Sequence, residues 1–101
     1  MDLAYAAGDG TPLHGRIVAA ALGAADARPL VLLHGGGPDH RSLLPLAAAL
    51  ADRRRVILPD VRGYGRSVCR DPARHTWDRY VADLVDLLDA LDLGDAVVGG
   101  A

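Results

Sequence analysis

The stretch PLVLLHGGG, residues 29–37, restricts the fold more than any other part of the chain. Leu30, Val31, Leu32 and Leu33 are apolar without alternation, so a strand built from them has no face to give to water. The glycines that follow let the backbone come close to another group. Two more runs of this kind lie downstream, RVILPD at 55–60 and AVVGG at 96–100. The segments between them have a helical period. SLLPLAAALADR, 42–53, sets Leu43, Leu46, Ala47 and Leu50 on one stripe, with Ser42 as N-cap and Pro45 in the tolerant first turn. TWDRYVADLVDLLDALDLG, 76–94, gathers Trp77, Tyr80, Val81, Leu84, Leu88 and Leu91 on one face. Thr76 is its N-cap and Gly94 its stop. Asp83, Asp86, Asp89 and Asp92 recur at threes, which reads as the solvated face.

Upstream, LAYAAGDGTPLHGRIVA, 3–19, reads as a hairpin. Leu3, Tyr5 and Ala7 alternate on one arm and Leu13, Gly15, Ile17 and Ala19 on the other, about a turn at Gly8-Asp9-Gly10-Thr11. LGAADAR, 22–28, is a small-residue loop. The expectation is an α/β fold: a β-hairpin, then β-α-β-α-β in a mainly parallel sheet with helices on both faces. Right-handed crossovers then make the LVLLHG strand central and put AVVGG at an edge.

At 101 residues, residues 1–101 are read as part of a single domain. Half of the chain is hydrophobic, too much for a disordered segment. A formal charge of −2 implies no general attraction to nucleic acid or membrane. All bases are Arg and all acids Asp, which reads as codon bias. The lone Cys69 excludes a disulfide framework within the chain. MDLAYAAGDG has no basic start or long apolar core of a signal peptide, and IVAAALGAA is too short for a bilayer. The expected location is the cytoplasm.

In LHGGGPDH, glycines after a central strand let backbone N–H groups converge on a negative oxygen. A P-loop would need Gly-Lys-Ser/Thr, which is absent, and the dinucleotide pattern fails at His40. A plain tight turn remains the alternative. The second motif is DVRGYGRS, 60–67. LHGGGP, a helix, VILPDVRGYGRS, a long amphipathic helix and VVGGA, in that order from about Pro29, resemble the N-terminal part of an α/β-hydrolase-fold enzyme.

That resemblance implies that the glycine run supplies one side of an oxyanion hole, in the loop between the third strand and the first helix. The backbone N–H of Gly36 is the first candidate and Gly37 the second. His34 and Gly35 are structural beside it. Asp60, Arg62, Gly63 and Gly65 shape the turn after the next strand, as an ion pair or loop brace rather than as proton carriers. The family's next feature is G-x-S-x-G. Gly100-Ala101 fits its start, with the nucleophile expected just after Ala101; a second register puts Ala101 in the nucleophile's own place. No catalytic residue is therefore assigned within the chain.

Other nucleophiles fit poorly. Ser67 follows a loop, and Cys69 stands where its second glycine belongs. Ser42 serves as a cap. Cys69 lies in an Arg-rich loop with only His75 near it in sequence. His14, His40 and His75 lack metal-ligand spacing, and Arg53-Arg54-Arg55 closes a helix. The resemblance implies hydrolysis of an ester, lactone or amide by a Ser-His-Asp mechanism, with a small-molecule substrate, no cofactor and no metal. An Asp nucleophile, as in epoxide hydrolases and dehalogenases, is the first alternative. The chain alone is expected to be inactive. A non-catalytic module that completes its sheet with a partner is the alternative from another class, and self-association through the last strand is expected.

Overall fold

The computed structural model describes residues 1–19, 28–35 and 37–100. Most of the expected 22–28 loop, Gly36 and Ala101 lie outside the described residues. The hairpin forms from β1 (Asp2–Ala6) and β2 (Pro12–Val18), antiparallel, with Tyr5 opposite Leu13. Leu3, Ala7, Leu13 and Ile17 are buried, as the alternation dictates, while Ala19 is exposed. Gly10 takes φ 86° in the turn, and Asp9 Oδ1 accepts the Thr11 N–H at 3.1 Å.

β3 (Leu30–Leu33), β4 (Val56–Pro59) and β5 (Val97–Gly100) are parallel neighbours in a five-stranded sheet of order β1-β2-β4-β3-β5. The parallel part is as expected from the unbroken apolar runs. The hairpin joins the same sheet, because β2 pairs antiparallel with β4, and the sheet is mixed. β4 and β5 flank β3, so two right-handed crossovers put their helices on opposite faces. α1 (Leu44–Leu50) covers Leu32, Val56 and Leu58 with Ala47, helped by Leu43 from the turn before it. α2 (Trp77–Ala90) covers Leu3, Ile17, Val31 and Ile57 with Leu87. Each such buried aliphatic side chain is worth about 1.5–3 kcal/mol relative to exposure.

Several local expectations change. The turn before α1 is a 3-10 segment, His40–Leu43, capped by Asp39, whose side chain accepts the Arg41 N–H. Ser42 is not the cap; its Oγ donates to the Asp39 carbonyl at 3.1 Å. Both are good capping residues, and Asp39 stands at the start of the earlier turn. Leu46 points to solvent, leaving Leu43 and Ala47 as the buried stripe.

In α2, Thr76 caps as expected. Trp77 (83 % exposed) and Val81 (62 %) are not buried against the sheet, whereas Asp83 (7 %) is. The helix is turned so that its buried line runs through Asp83 and Leu87, because Asp83 meets a buried guanidinium. The Asp series is therefore not one solvated face. Gly94 does not stop the helix. Asp92 takes the left-handed φ of 53°, while Leu93 N–H donates to Leu88 O at 2.8 Å and Asp92 N–H to Asp89 O at 3.2 Å. That is the Schellman arrangement with Asp in the place usual for Gly. Among the described residues, no helix is long and apolar enough to cross a membrane.

Candidate functional site

The carboxyl ends of β3, β4 and β5 lie together, which is where open α/β sheets place ligands. β3 pairs with β5 in a register that sets Leu33 beside Gly100. The glycine run therefore begins two residues beyond the level at which the edge strand ends. His34 turns inward (6 % exposed), and its Nε2 accepts the Val61 N–H at 3.0 Å. Nδ1 must then carry the proton, which it donates to the Gly35 carbonyl at 2.9 Å. The ring also meets Tyr64 edge-on at 5.3 Å. His34 thus ties the loop after β3 to the loop after β4. Gly36, the first donor candidate, lies outside the described residues. Gly37 is half-buried, and a Cβ there would lie 3.3 Å from Ser42 Oγ.

Asp60 and Arg62 do not pair with each other. Asp60, buried at the end of β4, accepts from the His40 backbone N–H at 2.9 Å, from His40 Nδ1 at 2.7 Å and from the Arg66 N–H at 3.3 Å. Gly65 sits above it with φ 52°, where a Cβ would fall 2.6 Å from Asp60 Oδ2. Gly63, at φ 89°, passes His75 as closely. Side chains at either position would push the turn off Asp60 and His75.

Arg62 is buried. Its Nε and Nη2 reach Asp83 at 2.8 Å each, and Nη1 and Nη2 reach Asp9 at 3.0 and 3.1 Å. Nη1 also donates to Thr11 Oγ1 at 3.0 Å and Cys69 Sγ at 3.4 Å. All its N–H groups are committed, so none is spare for a ligand. The two carboxylates, Asp83 foremost, hold the guanidinium above its ordinary pKa against the opposing effect of burial. Arg62 in turn holds the Asp9 carboxyl well below the usual range. Burial, with the charges of Asp83 and Asp86 behind it, raises the Tyr5 phenol above its ordinary value.

The other nucleophile candidates are occupied. Ser67 is fully buried; its Oγ accepts the His14 N–H at 2.9 Å and donates to the His14 carbonyl at 3.3 Å. His75 Nε2 donates to the Cys69 carbonyl at 2.8 Å, and its Nδ1 accepts from Tyr80 OH at 3.0 Å. Neither ring nitrogen is given to the Cys69 thiol. Ligand atoms of Asp39, His40 and Asp60 lie within 4.8 Å of one another, but Asp39 is committed to Arg41 and Asp60 to His40. Sequence reasoning missed His40. Its partner is 20 residues away, and no local spacing announces it.

Beneath the first half of α2 lies a cavity of about 430 Å³, lined mainly by apolar groups that include Tyr5, Leu33, Tyr64, Trp77 and Leu84. His34 and Gly35 belong to its lining.

A family model described as Alpha/beta hydrolase family matches residues 30–101. A 2-hydroxymuconate semialdehyde hydrolase of Pseudomonas sp. (strain CF600) is 37% identical over 78 residues, 71% of this chain and 26% of that protein. An epoxide hydrolase of Caballeronia sordidicola is 40% identical over 80 residues, 73% of this chain and 23% of its own. The crystal structure of an alpha/beta hydrolase from Novosphingobium aromaticivorans DSM 12444 superposes with a TM-score of 0.86 at 29% identity, over 97% of this chain and 34% of that one. The chain spans about a quarter of the length of the curated relatives it matches.

Proposed function

Because the chain belongs to the alpha/beta hydrolase family, we propose that it supplies the oxyanion-binding side of a serine-type hydrolase acting on an ester, lactone or amide. The N–H of Gly36, with Gly37 second, donates to the oxygen of the substrate carbonyl as negative charge develops on it. The nucleophile follows β5, and the acid and histidine come later in chain order. One observation carries this reading. The pairing of Leu33 with Gly100 makes a chain leaving β5 emerge next to His34 and Gly35. A nucleophile there attacks a carbonyl whose oxygen lies over the glycine run. His34, Gly35, Asp60, Arg62, Gly63 and Gly65 hold this geometry without taking a proton. Reading the codons after Ala101 tests the proposal: S-x-G supports it, and the absence of any elbow contradicts it.

An aspartate in the nucleophile's place is the second reading, favoured by the identity with the epoxide hydrolase. Residues 1–101 alone hydrolyse no activated ester above background in either case. Turnover abolished by Ser67→Ala or Cys69→Ala would show that the site lies elsewhere. A cytoplasmic location belongs to the same proposal. So does self-association of the isolated chain through β5, whose Val98 is 42 % exposed on an uncharged edge strand. A concentration-independent monomer in light scattering would contradict the latter.

A further inference from the structure

The residues that flank the glycine run are each fixed to the loop after β4. At the start of the run, His34 Nε2 takes the Val61 N–H. At its far end, the residue that holds is His40. Its backbone N–H and its Nδ1 both converge on one oxygen, Asp60 Oδ1, at 2.9 and 2.7 Å. The other oxygen of Asp60 receives the Arg66 N–H at 3.3 Å. Asp60 is only 2 % exposed, so water is a poor substitute for these donors. Withdrawing His40 would leave a buried carboxylate oxygen short of partners, which is costly. Asp39, next in the chain, is itself held, since its carboxylate takes the Arg41 N–H at 2.8 Å and its carbonyl takes Ser42 Oγ–H at 3.1 Å. His34 and His40, on either side of the glycine run, are thus both anchored to the loop that follows β4.

We propose that Asp60 and His40 are a positioning pair for the oxyanion donors of the glycine run. Neither touches substrate. The inference rests on the hydrolase reading above. A donor aimed at a developing oxyanion acts only if it is held near 2.7–3.1 Å from the place that oxygen will occupy. A displacement of about 1 Å costs as much as 10²-fold in rate. The loss falls on kcat rather than KM, because the transition state asks more of the donor than the bound ground state does. The carboxylate only accepts, so His40 Nδ1 carries the proton, and the ring N–H and the backbone N–H of His40 together hold Asp60.

Two measurements test it. In residues 1–101 themselves, His40→Ala should speed amide exchange at Arg41 and Ser42, whose N–H groups donate to Asp39, by about tenfold or more, because only the backbone N–H of residue 40 is then left on Asp60 Oδ1. His40→Asn, whose amide nitrogen takes the place of Nδ1, should restore slow exchange. In the complete hydrolase, His40→Ala should lower kcat by about 10–100-fold with KM within about threefold, and His40→Asn should recover most of the loss. If His40→Ala does not fold, His40→Gln carries the same expectation, because its donor lies too far along the side chain. Unchanged exchange, an unchanged kcat in a folded variant, or a change in KM alone overturns the inference. A parent enzyme that hydrolyses nothing defeats the hydrolase reading instead, and the exchange measurement then decides whether the pair holds the loop.

Discussion

Replacing Asp83 with Asn removes one charge from a buried ion cluster and changes almost nothing in shape. Arg62 is 1 % exposed, and Asp83 meets it with two 2.8 Å hydrogen bonds. An exposed pair of this kind would be worth about 0.2–1 kcal/mol. Breaking a buried one costs about 3–5 kcal/mol, because a desolvated charge is left behind. Burial decides for the larger range, and the surviving bonds to Asp9 put the value near its lower end. A loss of about 3 kcal/mol is a large part of the 5–15 kcal/mol typical of a domain. At about 4–8 °C per kcal/mol the melting temperature falls by about 12–24 °C. Urea unfolding followed by far-ultraviolet circular dichroism should show a lower midpoint with an unchanged slope. Trp77 fluorescence serves poorly here, since that ring is already exposed. Asp86→Asn, at a more exposed position, is the control and should cost less than about 1 kcal/mol. Equal losses for the two variants, or a loss below about 1 kcal/mol for Asp83→Asn, would refute the claim that burial sets the value.

Asp92→Gly should stabilise the chain by about 1 kcal/mol, because the residue already sits at φ 53° and Gly pays no Cβ penalty there; thermal melts would show a higher midpoint. Asp9 has a folded pKa below its unfolded one, because Arg62 donates to its carboxylate. Its contribution is therefore fully present above the unfolded value near 4 and is lost as pH falls below it. Unfolding free energy measured downward from pH 5 should fall less steeply in Asp9→Asn than in the parent chain.

The strands were legible because burial on both faces writes itself as an unbroken apolar run, as in LVLL and VILP. The hairpin was legible because burial on one face writes alternation, as in Leu13 and Ile17. What escaped depends on partners far away in sequence. Asp83 looks like Asp86 and Asp89 along the helix, and only Arg62, 21 residues back, turns it inward. With Asp83 goes the rotation that exposes Trp77 and Val81. The Asp60–His40 contact spans 20 residues, and the Arg62–Asp9 contact spans 53, across the hairpin turn. The two ends of the candidate site, the glycine run and the VVGG strand, were readable as motifs. Their adjacency follows from the strand order. The bonds that pin the loop in place are side-chain contacts between separate loops, which no period in the sequence encodes.

The central claim is that a backbone N–H of the glycine run stabilises a developing oxyanion, and Gly36→Pro tests it most directly by deleting that donor. The complete hydrolase and the variant are compared by kcat on an activated ester, with circular dichroism confirming that the variant folds, since proline also constrains the backbone. The expected result is a loss of about 10²–10³-fold in kcat. A folded Gly36→Pro enzyme with the parent's kcat would contradict it.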